Sequence, residues 1–457
     1  MQKNTQIITV LLLLLILFSG CEKFLEEKSD KSLAMPTTLL DFQSLLNNWE
    51  IMNSGFSSMG EASCDDHFLA DADYEGGLYY ESDKRLYTWQ QDYVTRPVSS
   101  AGDEWEKCYS RIYVCNSVLK GLQENKLAGQ EADYIKGRAL VFRAASYLDG
   151  VQIWAPVYNP QTANTDLGMV LRLDPDMNIP SVRSSVQETY DLILKDLNEA
   201  LSILPTTSTA ATLPTKAAAY GLLARTHLVS GNYTDALENA EKAVEFNSQL
   251  IDFNGLDPNA NFPIPVVNQL SSEIVFQTRM YSSDVNNLDI ARITPALYNL
   301  YDEGDLRKEI YFRKGDDGDY RFKGTHMGHI GVIASITTSE LLLIIAECNA
   351  RINKLTEAAN ALNKLLIKRW DVNLFTPYSF TDKNIALNTI LMERRKELVF
   401  RGLRWTDLKR LNRDGYNISL TRTVGGQTFT LPPNDLRYAI AIPESIIEIS
   451  GLPQNPR

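Results

Sequence analysis

The chain has 457 residues, with 45 Lys and Arg against 57 Asp and Glu, for a formal net charge of −12. That balance excludes a dedicated nucleic-acid binder, which needs a basic face to neutralise phosphates. With 44% hydrophobic and 22% charged residues the composition also excludes wholesale disorder, and the length suits one large domain or two to three ordinary ones.

Met1 to Gly20 reads as a secretory signal: Lys3, an unbroken apolar run from Val10 to Phe18, then Ser19-Gly20 before Cys21. Nine apolar residues span only about 14 Å as a helix against a hydrocarbon core of roughly 30 Å, so the run is not an ordinary transmembrane anchor. Small residues directly before a single Cys resemble a bacterial lipobox, in which cleavage leaves Cys21 as a lipid-carrying N-terminus. Phe18 departs from the Leu usual three places before that Cys. Glu22, Glu26 and Glu27 resemble the sorting signals of surface-exposed lipoproteins. The expected division is a signal peptide over 1–20, a lipidated tether over 21–36 and a folded body over 37–457.

Four further cysteines follow: Cys64, Cys108, Cys115 and Cys348. Cys108 and Cys115 fall seven apart in a helical pattern, about 10 Å along the axis, too far for a disulfide within that helix. Buried free thiols are expected, and without a CxxC pair neither a zinc ribbon nor a thioredoxin-like site has support.

Apolar residues recur at helical spacing over about 38–49, 104–123, 131–153, 186–204, 216–230 and 234–247. They do so again over 338–352, 355–370 and 384–410, so the fold is expected to be mainly α. Between 250 and 329 the pattern breaks into short segments rich in Asn, Asp, Gly and Pro, with β-like runs such as Glu273-Ile274-Val275-Phe276. A second irregular stretch runs from 412 to the end. Two helix pairs match. Ala224 is followed by Gly231-Asn232-Tyr233 and then Ala236, Ala240 and Ala243; Ala346 is followed by Asn353-Lys354 and then Ala358 and Ala359. The interval from first to second alanine is twelve residues in both. This resembles the tetratricopeptide repeat, in which small residues let two helices approach around a tight turn. Such units bury their faces only by stacking, so the expectation is a right-handed superhelix carrying long irregular inserts.

Near the C-terminal end the chain reads Glu393-Arg394-Arg395-Lys396-Glu397-Leu398, then Gly402, then Arg404-Trp405-Thr406-Asp407-Leu408-Lys409-Arg410. This resembles the signature of the RagB/SusD family of nutrient-binding outer-membrane lipoproteins. Ile442-Pro443 and Gln454-Asn455-Pro456 fit that family's tail. Upstream, so do Tyr87-Thr88-Trp89, Trp105 with Tyr109 and Asn116, Gly137-Arg138-Ala139, and Phe142-Arg143-Ala144 with Tyr147. Arg401 departs from the Glu often found there, and Thr338-Ser339 stand where an Arg commonly precedes the repeat helix. The resemblance covers the mature chain, with an N-terminal part to about 250 and a C-terminal part over 251–457. It implies a non-enzymatic, surface-exposed protein of the outer membrane that captures an oligosaccharide and delivers it to a SusC-like TonB-dependent transporter. Alternatives are the same lid role for peptides, or a tetratricopeptide scaffold of the envelope that binds no nutrient. The residues of the signature themselves read as structural. Glu393 and Glu397 can pair with bases on their own helix, Arg404 can pair with Asp407, and the charged cluster is expected to hold the helix against the irregular C-terminal segment.

Capturing sugars calls for aromatic faces flanked by polar groups. Tyr74, Tyr79, Tyr80, Tyr87, Trp89 and Tyr93 place six aromatics within twenty residues of a chain that is 9% aromatic. Gly76-Gly77 make the first part loop-like, so Tyr74, Tyr79 and Tyr80 are the first candidates for ligand contact, with Tyr281 and Tyr320 behind them. Tyr87 and Trp89 alternate like a strand and are expected in the core. Asp65, Asp66, Asp71 and Asp73 read as a solvated turn, or at most a calcium site, rather than a glycosidase pair. His326 and His329 have HxxH spacing without an evident third ligand. No cofactor or metal is expected.

Overall fold

The structure is a computed structural model and describes residues 36–91, 104–266 and 271–457. The signal segment, Cys21, the tether up to residue 35 and Tyr93 lie outside the described residues.

Helices dominate. The N-terminal part contains α1 (Leu39–Leu46), α2 (Trp49–Met52), α3 (Met59–Ser63), α4 (Glu81–Tyr87), α5 (Glu104–Glu124), α6 (Gln130–Trp154), α7 (Val186–Ile203), α8 (Lys216–Ser230) and α9 (Tyr233–Phe246). The remainder contains α10 (Pro295–Tyr298), α11 (Arg307–Tyr311), α12 (Thr338–Arg351), α13 (Leu355–Leu366), α14 (Lys383–Glu397), α15 (Arg404–Arg413) and α16 (Glu444–Ser450). Among the described residues the strands are short: β1 (His67–Phe68), β2 (Leu167–Val170), β3 (Arg183–Ser185), β4 (Ile274–Phe276), β5 (Arg292–Ile293), β6 (Phe312–Lys314), β7 (Tyr320–Phe322), β8 (Ile336–Thr337), β9 (Leu420–Val424) and β10 (Gln427–Leu431).

Several helix starts are set by side-chain caps. Thr38 with Asp41 opens α1 and Ser185 with Glu188 opens α7, each as a reciprocal capping box. The helices then stack in series: α5 on α6, α6 on α7, α8 on α9, α9 on α12, and α12 on both α13 and α14. The two matching helix pairs are α8–α9 and α12–α13. Ala224, Ala236, Ala240, Ala243, Ala346 and Ala358 are all fully buried, which lets the backbones approach. The turn between the helices is left-handed in both pairs, at Gly231 (φ 85°) and Asn353 (φ 64°). Adding a Cβ at such a position costs about 1 kcal/mol, so Gly231→Ala is expected to lower the unfolding free energy read from urea titration by that amount without changing helical content.

The structure departs from the sequence reading in three places. The single helix expected over 384–410 is two, α14 and α15, because Phe400 (φ 54°) and Gly402 (φ 71°) take left-handed backbone and the Gly402 amide donates to Glu61 at 2.9 Å. Tyr87 and Trp89 are not on a strand. Tyr87 ends α4 and Trp89 follows at φ 53°, with the Arg422 guanidinium 3.9 Å and 4.8 Å from their ring centroids. Both are buried, as expected.

The third departure concerns the charged signature. Lys396 Nζ donates to Glu393 at 2.9 Å on its own helix, but Glu397 is bound from other segments by Arg307 and Arg369. Arg369 also donates to Glu273 at 2.7 Å, and Arg307 binds Asp305 and Glu393. The cluster therefore ties α14 to the central inserts, not to the C-terminal segment. Arg404 pairs with Asp65 rather than with Asp407, which is taken by Arg394 and Arg410. The spacing of α14 and α15 gives which residues can face one another along a helix; it cannot give which distant segment folds against them. Cys64, Cys108, Cys115 and Cys348 are free and buried.

Candidate functional site

Strand β1 leads out of the core into the aromatic insert. It forms the edge of a four-stranded antiparallel sheet in the order β1-β5-β7-β6. Residues Asp73–Gly77 make a turn of π-helix, closed by the Leu78 amide donating to the Asp73 carbonyl at 3.1 Å. Leu78 is extended and buried, so the alternation of an extended chain turns Tyr79 outward. Tyr79 is 83% exposed, and its ring meets that of half-buried Tyr80 edge to face at 4.8 Å. Tyr74 is half-buried, 5.9 Å from the ring of Tyr87 and under the Lys84 ammonium at 5.5 Å. Tyr79 and Tyr80 are thus the presented pair, and Tyr74 roots the insert.

The insert is braced from three sides. Arg292 on β5 binds Asp73 and also Asp317 at 3.0 Å, the Gly425 amide in the β9–β10 turn donates to Asp71 at 2.9 Å, and Lys84 Nζ donates to the Glu75 carbonyl at 3.0 Å. Held at several points, the two rings need little further ordering to meet a ligand. Of the four carboxylates expected in a solvated turn, Asp71 is exposed, but Asp65 and Asp66 behave otherwise. Asp66 is buried and accepts from Arg395 at 2.7 Å; Asp65 accepts from Arg404 at 2.7 Å and from Arg395 at 3.0 Å. Burial raises the Asp65 carboxyl, and the Arg404 and Arg395 guanidiniums outweigh that and hold it low. These two acids are spent on arginine inside the protein and do not face each other across a cleft, because α14 and α15 bring cations to them that sequence spacing does not reveal.

Asp83, on α4 beside the tyrosine pair, is a group the sequence reading missed. Burial, with the charge of Asp284, pushes its carboxyl from 3.8 up to about 6. The folded state thus keeps a proton that the unfolded chain releases, so this contribution to stability is complete below about pH 4 and is lost as pH rises through 6. Asp83→Asn is expected to remove that slope and stabilise the protein at pH 7 by up to roughly 3 kcal/mol, read from urea unfolding at pH 4.5 and pH 7.

Tyr320 does not join this patch. Tyr320 on β7 neighbours Arg321, which binds Asp317 in the bracing cluster, and the pleat turns Tyr320 to the opposite face. There it stacks on Tyr298, with centroids 3.7 Å apart and planes 16° apart, flanked by the Lys308 ammonium at 5.0 Å from Tyr298. Tyr298 was not among the sequence candidates, since nothing in its spacing marks a stacking partner. Tyr281 is half-buried and its amide donates to the Phe56 carbonyl at 2.7 Å, in the central insert whose chain continues to Asp284. His326 is buried with Nδ1 3.0 Å from Ser271 Oγ and Nε2 on Arg401, while His329 is exposed and accepts the Gly331 amide at 2.9 Å. The HxxH spacing therefore does not converge on one point.

A cleft of about 870 Å³ lies elsewhere, between α5, the chain after β2 and α16. Trp105, Tyr109, Tyr113, Met177, Ile446 and Ile449 are among its lining residues, and none of the candidate tyrosines reaches it. Among the described residues no helix is long and apolar enough to cross a membrane.

Residues 23–228 match a SusD-like family described as "Starch-binding associating with outer membrane", and residues 276–444 match the SusD family. The chain belongs to the RagB/SusD family. SusD-like protein P38 of Formosa agariphila is 23% identical over 90% of this chain and 92% of its own. Solved SusD-like structures share the fold. A putative sugar-binding protein from Bacteroides vulgatus superposes with a TM-score of 0.74 at 21% identity, covering 93% of this chain and 99% of its own. A laminarin-binding SusD-like protein does so with 0.65 at 17% identity, covering 91% and 97%. The first family description names starch binding, and the second structure is by name laminarin-binding, so the relatives of this chain are carbohydrate binders.

Proposed function

We propose that this RagB/SusD protein is a surface-exposed lipoprotein, anchored through Cys21, that captures an oligosaccharide on Tyr79 and Tyr80 and passes it to a SusC-like TonB-dependent transporter. The carrying observation is an aromatic pair presented to solvent on a braced insert. A sugar ring offers apolar C–H faces to such rings and hydroxyls to flanking polar groups, here Asp83 and Glu75, and its capture is an equilibrium that leaves every bond intact. Tyr281, whose chain continues to Asp284 beside Asp83, would extend contact for a longer chain. The lipid keeps the binder near its channel, which raises effective concentration without covalent chemistry. The family description and the laminarin-binding relative support a glucan as the first probe.

The test is a screen of the full chain in detergent against laminarin, other glycans and peptides, with reducing ends measured alongside. Retention of a glycan without release of reducing ends is expected; release would overturn the binding reading. Peptide capture is the second reading, favoured by the apolar lining of the 870 Å³ cleft. Retention of peptides alone would select it. Resistance of the chain to protease added to intact cells would select a scaffold facing inward.

A further inference from the structure

A second cluster, behind the aromatic insert, contains a histidine whose ring nitrogens have no partner. Glu61 and Cys64 stand three residues apart at the end of α3, and His67 follows three residues later at the start of β1; all three are buried. A carboxylate oxygen of Glu61, the sulfur of Cys64 and a ring nitrogen of His67 lie within 4.8 Å of one another, and Cys64 Sγ is already 3.7 Å from Glu61. His67 is 1% exposed, yet neither of its ring nitrogens has a hydrogen-bond partner. A buried polar group left in that state costs about 1 to 3 kcal/mol, so proteins satisfy such groups with protein, water or an ion. Glu61 accepts the Gly402 amide, and no ion pair to it occurs among the described residues.

Thiolate, imidazole and carboxylate together are a zinc donor set, whereas calcium and magnesium take oxygen donors. Zinc bonds of roughly 2.0 to 2.3 Å place tetrahedral donors about 3 to 4 Å apart, so the cluster needs to close by about an ångström. We propose that Glu61, Cys64 and His67 form a buried zinc site that stiffens the α3–β1 corner, which Glu61 joins to the turn between α14 and α15 through the Gly402 amide. Zinc enters as the divalent ion, the Cys64 S–H bond gives way to a zinc–sulfur bond, the thiol proton leaves to solvent, and a water completes the four positions. Arg422 opposes an added cation from β9, but its terminal nitrogens are committed to the carbonyls of Ala62, Cys64 and Tyr87, and Asp65 and Asp66 lie on the opposing side of the charge balance. The corner carries the aromatic insert, so the ion would stiffen its base. The site does not depend on what the insert binds.

The experiment uses the full chain in detergent, reduced and stripped with chelator, then equilibrated with zinc or with cobalt as a spectroscopic substitute. One metal per chain is expected, with a thiolate-to-cobalt charge-transfer band, and zinc is expected to raise the thermal midpoint. Cys64→Ser should abolish the band, and His67→Gln should weaken binding by on the order of a hundredfold and cancel the thermal shift. Stripped protein that takes up no metal, or cobalt bound without the band, would overturn the site. Unchanged affinity in folded His67→Gln would do so as well. Because the band is read on the unaltered chain, the proposal stays testable if a variant fails to fold.

Discussion

Replacing Arg369 with methionine is expected to destabilise the protein by about 3 to 5 kcal/mol, the cost of stranding buried acids when their common cation is removed. Arg369 is fully buried and donates to Glu273 at 2.7 Å, to Glu397 at 2.9 Å and to the Ile251 carbonyl at 2.7 Å. Without it the second oxygen of Glu273, already unpartnered, belongs to a carboxylate with no counter-ion at hand. Arg307 remains beside Glu397 at 3.4 Å, so the strain falls chiefly on Glu273. Equilibrium urea unfolding measures the loss, and Glu273→Gln in the same chain is expected to restore part of it, since a neutral amide demands no cation. A loss below 1 kcal/mol for Arg369→Met, or no recovery in the double variant, would show that the buried network is not what ties α14 to the central inserts. Because Glu393 and Glu397 belong to the family signature, the same experiment tests whether that signature serves architecture rather than ligand contact.

Tyr79→Ala combined with Tyr80→Ala is expected to weaken retention of a bound glycan by on the order of a hundredfold, about 2 to 4 kcal/mol over the two rings. Tyr79 is mostly solvent-facing and Tyr80 half-buried, so helical circular dichroism and the urea midpoint should move little. Tyr74→Ala is a different experiment: that ring packs on Tyr87 and under Lys84, and its removal should cost stability as well as binding. Isothermal titration with the retained glycan separates the two. If the double variant binds as tightly as the parent and Tyr320→Ala does not, the contact surface is the Tyr298–Tyr320 stack on the opposite face of the sheet.

Much of the framework was legible in the chain itself. Helical spacing of apolar residues located the long helices, and the twelve-residue alanine interval located both tight helix pairs, because these are local properties of a helix and of a turn that demands left-handed backbone at Gly231 and Asn353. The aromatic insert was legible as an excess of tyrosine beside glycine. Which tyrosine faces solvent was not, because that follows from Leu78 being drawn into the core and from Arg292 seizing Asp73.

Local periodicity and composition determined a mainly helical chain, its paired helices, its buried free cysteines and the position of its aromatic insert. Tertiary structure alone decided the partners of the buried charges, the break between α14 and α15, and the meeting of Glu61, Cys64 and His67. The reason is one of range. A helix or turn is chosen by interactions over a few residues, whereas Asp65 finding Arg404, or Glu273 finding Arg369, joins points separated by most of the fold, and only the packing of the helix stack brings them within bonding distance.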